Sequence, residues 1–290
     1  MNTIVAPGAW RATFGFAYGD FFTSHVATCP DVAPVECEAG FIPPHMHHVR
    51  LALTHSDLTV DRGLGANMQL SLRLPYDIKE MRVKYTTLDG APFIPPYGDI
   101  HHRDETLRGI SDAALMLDWS PHVDWFLGIG TTLPIGHTVP DPVALGRFGL
   151  KHEHIQFGSG TFQPIVSAQW SRALKVPLFI RFEDRLSLYE SGGGYHPPNT
   201  FTWVGGTSLA AGRFAIAPSI TGQYQTIGRW HGAIDEGSGF QNGGLQLQVA
   251  ARAGSVVIMP GVYHEVWSHG FGGQTFRQAT TWSVVLSRQF

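Results

Sequence analysis

Apolar residues in this chain recur at every second position in one stretch after another, and that period admits little besides β-strands. From Trp10 to Tyr18, the residues Trp10, Ala12, Phe14, Phe16 and Tyr18 share one face, and Arg11, Thr13, Gly15 and Ala17 share the other. Successive side chains of a strand point to opposite sides of a sheet, so each stretch has one apolar face and one small or polar face. Met68, Leu70, Leu72 and Leu74 alternate in this way with Gln69, Ser71 and Arg73, and Leu115, Leu117 and Trp119 alternate with Ala114, Met116 and Asp118. Leu245, Leu247 and Val249 alternate with Gln246, Gln248 and Ala250, and Trp282, Val284 and Leu286 with Ser283, Val285 and Ser287. The alternation predicts about twelve strands, over 8–18, 49–61, 66–88, 108–119, 122–135, 161–173, 176–190, 199–211, 213–229, 243–253, 255–268 and 276–290. No segment sustains a 3.6-residue period, so helices are expected to be few and short.

The connections alternate as regularly as the side chains. Long ones are expected over 19–48, 89–107 and 136–160, with shorter loops at 191–198, 230–242 and 270–275. Between them fall tight turns at Gly63-Leu64-Gly65, Ser120-Pro121, Leu174-Lys175, Gly212 and Gly254. A soluble sandwich has no reason to interleave long and short, whereas a membrane barrel has short periplasmic turns and longer extracellular loops. Such a sheet must close, because an open edge in lipid leaves N–H and C=O groups unpaired. The expected fold is therefore all-β: one domain over 1–290, a transmembrane antiparallel up-and-down β-barrel of about 12 strands in a bacterial outer membrane.

Bulk properties agree with this and remove other classes. Charged residues make up 15% of the chain against 43% hydrophobic, with 34 glycines, which fits a barrel with a lipid-facing band and fits a soluble all-β sandwich as well, so composition alone does not decide. No apolar run approaches the roughly 18–20 residues of a spanning helix. The net charge is −3 with no basic stripe, so nucleic acid is not an expected partner. The opening Met1–Gly8 has neither a basic nor an apolar leader region, and the expectation is that a signal peptide has been removed. Two charges interrupt the apolar rows, Asp184 beside Phe182 and Arg288 beside Leu286. Each is expected near a membrane interface or at a register shift.

A series of marks resembles a known family. They are Leu72-Arg73-Leu74-Pro75-Tyr76, Gly109-Ile110-Ser111-Asp112-Ala113-Ala114-Leu115, Thr132-Leu133-Pro134-Ile135-Gly136 and Phe157-Gly158-Ser159-Gly160-Thr161-Phe162. Met259-Pro260-Gly261-Val262-Tyr263 and Gly272-Gly273-Gln274 follow, with the terminal Phe290. Together, over roughly 66–290, they resemble bacterial outer-membrane barrels described as transporter-like and related to a protein of the meta-cleavage pathway of phenol degradation. The resemblance implies an outer-membrane barrel with a transport role and does not supply a substrate.

The faces opposite the apolar rows carry Arg73, Asp112, Arg181, Glu183, Arg185 and Arg252. Such residues would line a lumen and tune its selectivity, or pair with one another across it. Fourteen of the 15 histidines lie in the expected extracellular loops or the strands leading to them. They cluster as His45, His47 and His48; His101 and His102; and His152 and His154. Two imidazoles on one strand face with carboxylates near are a candidate for copper or zinc, although short histidine tracts point to metal only compositionally. Cys29 and Cys37 would form a disulfide in an oxidising compartment or stand as two free thiols. The apolar, proline-rich Ala91–Tyr97 either folds into the barrel mouth or packs on its neighbours. No nucleophile elbow, metalloprotease or nucleotide motif is present, so no enzyme is expected and no cofactor is required.

Three functions remain open. The first is a passive channel for small-molecule or ion solutes, in contact with outer-membrane lipid. The second is a surface barrel binding copper or zinc through its loops. The third is a plugged structural barrel associating with other envelope proteins.

Overall fold

The computed structural model describes residues 4–27, 42–96, 102–153, 155–235, 237–271 and 275–290. Twelve long antiparallel strands form the wall. They are β1 (Trp10–Ala27), β2 (His45–Gly65), β3 (Met68–Thr87), β4 (Ala113–His122), β5 (Trp125–Leu133), β6 (Pro164–Arg172), β7 (Leu178–Arg185), β8 (Thr200–Thr207), β9 (Phe214–Gln225), β10 (Phe240–Ala253), β11 (Val256–Gly270) and β12 (Thr281–Gln289). Each pairs with its neighbours in sequence, and β12 pairs with β1, so the sheet closes on itself. Closure leaves the wall no free edge, the condition lipid imposes on a sheet. Among the described residues there is one short helix, α1 (Pro142–Arg147), capped by Asp141, whose carboxylate accepts from the N–H groups of Val143 and Ala144.

The alternation reappears as inside and outside. Phe14, Phe16, Leu70, Leu74, Leu117, Trp119, Ile129 and Leu247 are all more than a third exposed, on the faces the sequence marks as apolar. Gln69, Ser71, Asp118 and Gln169 on the other faces are buried. A water-soluble sheet would hide the first set and expose the second. Apolar outside and polar inside is the arrangement of a barrel solvated by lipid.

Turn chemistry fixes the register. Ala66 and Asn67 occupy the β2–β3 turn with φ of 49° and 59°, the two left-handed positions of the hairpin turn that suits strand twist. The turn thus falls just beyond the expected Gly63-Leu64-Gly65, which instead accommodates a register shift in β2. Alanine in the left-handed region costs roughly 1–2 kcal/mol. Ala66→Gly is expected to stabilise the hairpin by up to about 1 kcal/mol after glycine's own entropy cost, read as a higher urea midpoint in lipid vesicles. No register shift occurs at Asp184 or Arg288. Both sit at strand ends, and the Arg288 guanidinium lies 4.8 Å over the Phe290 ring.

The longest expected loop is corrected. Residues 19–27 continue β1 and 45–48 begin β2, so the 19–48 connection is much shorter than the alternation indicated. The second expected loop, 89–107, is likewise trimmed, because Glu105–Ile110 forms a strand against β3. The third, 136–160, carries α1. At about 3.3 Å per residue and a tilt near 45°, His47 stands roughly 40 Å above Gly65, past the apolar band of about 25 Å.

Candidate functional site: a layered lumen and a histidine cluster

At the turn end, the lumen holds a polar chamber of about 500 Å³. Arg73, Arg181 and Glu183 line it, together with Arg11, His55, Asp57, Asp61 and Asp118. Opposite charges meet across its wall: Arg11 to Asp61 at 2.7 Å, Arg181 to Glu183 at 2.8 Å and Arg73 to Glu183 at 4.0 Å. Pairing of this kind is what makes charges tolerable inside a barrel. Arg185 ends β7 on the same face as Arg181 and Glu183. Arg252 is exposed at the turn end of β10, two residues before Gly254. Smaller spaces of about 260 and 220 Å³ adjoin Arg181.

The floor of this chamber is built from the start of the chain. Val5 is fully buried, and its N–H donates to Gln69 Oε1 at 3.0 Å. The Gln69 amide in turn donates to Asp118 Oδ2 at 3.1 Å, which also accepts from Ser71 Oγ at 2.8 Å. Gly63 makes room for this segment, since a Cβ there would strike the Ala6 carbonyl.

Above the chamber, the 136–160 loop folds inward and forms a septum. Asp112, expected as a selectivity residue, is its anchor: its carboxylate accepts from the Gly136 N–H at 3.0 Å and from the Ser159 N–H and hydroxyl, each at 2.7 Å. Lys79 of β3 donates to the Gln156 carbonyl at 2.5 Å and lies 4.5 Å over the Phe157 ring.

Beyond the septum is a second cavity of about 190 Å³, whose apolar lining is Val49, Leu51, Met81, Leu107, Ile155 and Phe276 and whose polar lining includes His102, Glu153, Gln225, Asp235 and Ser238. Its roof is tied by Arg103, which is buried. The Arg103 guanidinium pairs with Glu105 at 2.7 Å and with Glu153, and donates to the His152 carbonyl at 3.0 Å. A small sheet of Tyr195–His196, Arg229–Trp230 and Ala233–Ile234 completes the cover. There the Tyr195 hydroxyl donates to Asp235 Oδ2 at 3.2 Å. Burial, reinforced by the Asp235 charge, pushes the Tyr195 hydroxyl well above the usual phenol range.

The expected histidine groups separate. His45 and His47 point inward, with Nε2 atoms 3.1 Å apart, and are joined by His25 of β1 and by His102. His25 is the direct cross-strand partner of His47, and their ring centroids lie 4.9 Å apart. His102 lies 5.4 Å from His25 and 5.3 Å from His47 by the same measure. His48, expected in the same group, faces the other way and bonds Ser24 Oγ at 2.9 Å and Thr86 Oγ1 at 3.0 Å. A residue one position from His47 on a strand cannot share its face. His152 turns its Nδ1 to the Leu150 carbonyl at 2.8 Å and is not part of the group. His101 and His154, like Cys29 and Cys37, lie outside the described residues. The Pro92–Phe93 stretch pairs with β3 and also reaches the mouth: the Phe93 N–H donates to the Tyr85 carbonyl at 3.1 Å, and its ring lies 4.6 Å from the inward-facing His45.

Burial makes two members of this cluster less basic. Desolvation, then the charge of His45, lowers the pKa of His25. Desolvation, followed by His25, His45 and His48, pushes His47 down to about 3. His25 and Lys79 escaped the sequence reading because each sits in a stretch whose partners are distant in sequence.

The sequence matches no family model and no curated protein. Among solved structures, an outer membrane channel from Pseudomonas putida F1 superimposes with a TM-score of 0.60 at 10% identity, over 99% of this chain and 97% of that one. The chain has the fold of an outer-membrane channel. A monoaromatic hydrocarbon channel (TM-score 0.48, 8% identity, 98% and 89% covered) and a Pseudomonas aeruginosa FadL homologue (0.43, 11%, 97% and 90%) align more loosely.

Proposed function

We propose that this barrel resides in a bacterial outer membrane and is a non-enzymatic channel for small, uncharged solutes with an apolar body. The observation that carries the reading is the sequence of spaces along its axis: an apolar cavity under the loops, the Lys79–Phe157 septum, and the 500 Å³ polar chamber. A dry apolar cavity of about 150 Å³ holds one benzene-sized molecule, so the upper cavity of about 190 Å³ suits a solute of one ring or a short branched chain. The paired charges below suit passage of a neutral solute, because they present little net field. The relation to barrels of the meta-cleavage pathway, expected from the sequence marks, belongs to this proposal and fits a solute of that size.

Purified protein in planar bilayers is expected to give small, discrete conductance steps. Proteoliposomes are expected to take up a one-ring neutral solute faster than a charged one of equal size. Absence of both, even after residues 140–157 are replaced by a short Gly-Ser linker, would overturn the channel reading in favour of a plugged structural barrel.

A further inference from the structure

We propose that His25, His47 and His102 form a binding site for a borderline divalent transition-metal ion of the zinc class, at the loop end of the barrel. One ring nitrogen from each of the three lies within 4.8 Å of those of the other two. Around a tetrahedral Zn²⁺ at about 2.0–2.1 Å per nitrogen, neighbouring donors stand roughly 3.4 Å apart. Closing the gap takes a contraction of up to about 1.4 Å between donors, within reach of imidazole rotation. The all-imidazole donor set selects zinc or copper over magnesium or calcium, which demand oxygen. His47 and His102 are buried, and His25 Nδ1 is a buried nitrogen with no hydrogen-bond partner among the described residues.

The surroundings supply the orienting shell that such ligands need. His45 Nδ1 lies 2.9 Å from the Pro43 carbonyl. A carbonyl only accepts, so Nδ1 carries the proton and, in the neutral ring, Nε2 carries the lone pair. His47 Nε2 then donates to it across 3.1 Å, which leaves the lone pair of His47 on Nδ1. A metal-bound histidine characteristically donates its other N–H to such a partner. His45 is therefore a positioning residue, and the ligands come from three separate stretches: β1, β2 and the segment entering Glu105–Ile110. An ion here would fasten that segment to the wall beside the apolar cavity, which His102 also lines. The site stands on the fold and is independent of the channel reading.

The test uses the full chain, stripped with chelator and refolded in detergent. Titration with Zn²⁺ is expected to give one site, with Mg²⁺ and Ca²⁺ unable to compete at a thousandfold excess. Zinc-edge X-ray absorption is expected to report nitrogen at about 2.0–2.1 Å. His25→Ala and His102→Ala should each weaken binding at least tenfold, His45→Ala roughly tenfold or more through orientation, and His48→Ala not at all. Far-UV circular dichroism and heat-modified gel mobility check that each variant is folded. No stoichiometric Zn²⁺, a sulfur shell at about 2.3 Å, or unchanged affinity in a folded His25→Ala/His102→Ala double variant would each overturn the assignment.

Discussion

Asp112→Ala is expected to release the inward loop and raise unitary conductance several-fold. The Asp112 carboxylate holds Gly136 and Ser159 through three bonds of 2.7–3.0 Å. Hydrogen bonds to a charged group are each worth roughly 1.5–3 kcal/mol, and removal of the acceptor also strands its donors. Allowing for non-additivity, about 3–5 kcal/mol of loop anchoring is lost, enough to change a closed septum into one open much of the time. Gly158→Val attacks the same contact while keeping the carboxylate in the chain, because a Cβ at Gly158 would run into the Gly136 carbonyl and crowd the Asp112 carboxylate. Both variants should open the pore while leaving the barrel folded. Unchanged conductance in both would mean that the septum does not control passage. Amide exchange over 155–163 offers an independent check, since protection there should fall even if no current is carried.

Leu117→Arg is expected to destabilise the barrel by about 2–4 kcal/mol in lipid vesicles, the cost of a cation near the middle of the bilayer. Leu117 faces outward, is flanked by Leu70 and Ile129 on the neighbouring strands, and lies five positions above His122 at the end of β4. That places it roughly 12 Å up the wall, close to the centre of the apolar band. Met116, one residue away, lines the polar chamber, and Met116→Arg should cost less than half as much. Urea unfolding in vesicles measures both. On a water-exposed surface Leu117→Arg would fall within about 0.5 kcal/mol of neutral, so a value in that range would mean that this face never meets lipid.

The contrast between Leu117 and Met116 also explains how much of the molecule could be read from its sequence. Lipid outside and polar groups inside force period two on the membrane band, so all twelve strands were visible there. Above the band, water reaches the outer face and the constraint lapses. Residues 19–27 then carry Asp20, Thr23 and Ser24 among aromatics, and their strand is indistinguishable from a loop. Loss of that strand hid the cross-strand pairing of His25 with His47. Asp112 shows a second limit: its inward face was legible, but its role depends on Gly136 and Ser159, which only the folded loop brings to it. Arg73, Arg181 and Glu183 were easier, because their neighbours lie on the same strand or a facing strand of one regular wall.

The strands differ in height. β1, β2 and β3 run 18, 21 and 20 residues, while β6, β7 and β8, across the ring, run 9, 8 and 8. The rim is therefore cut obliquely, like the nib of a quill. A stiff, hydrogen-bonded parapet thus stands on one flank of the mouth and only folded-over connections on the other, so the mouth is walled on one side and open to approach on the other.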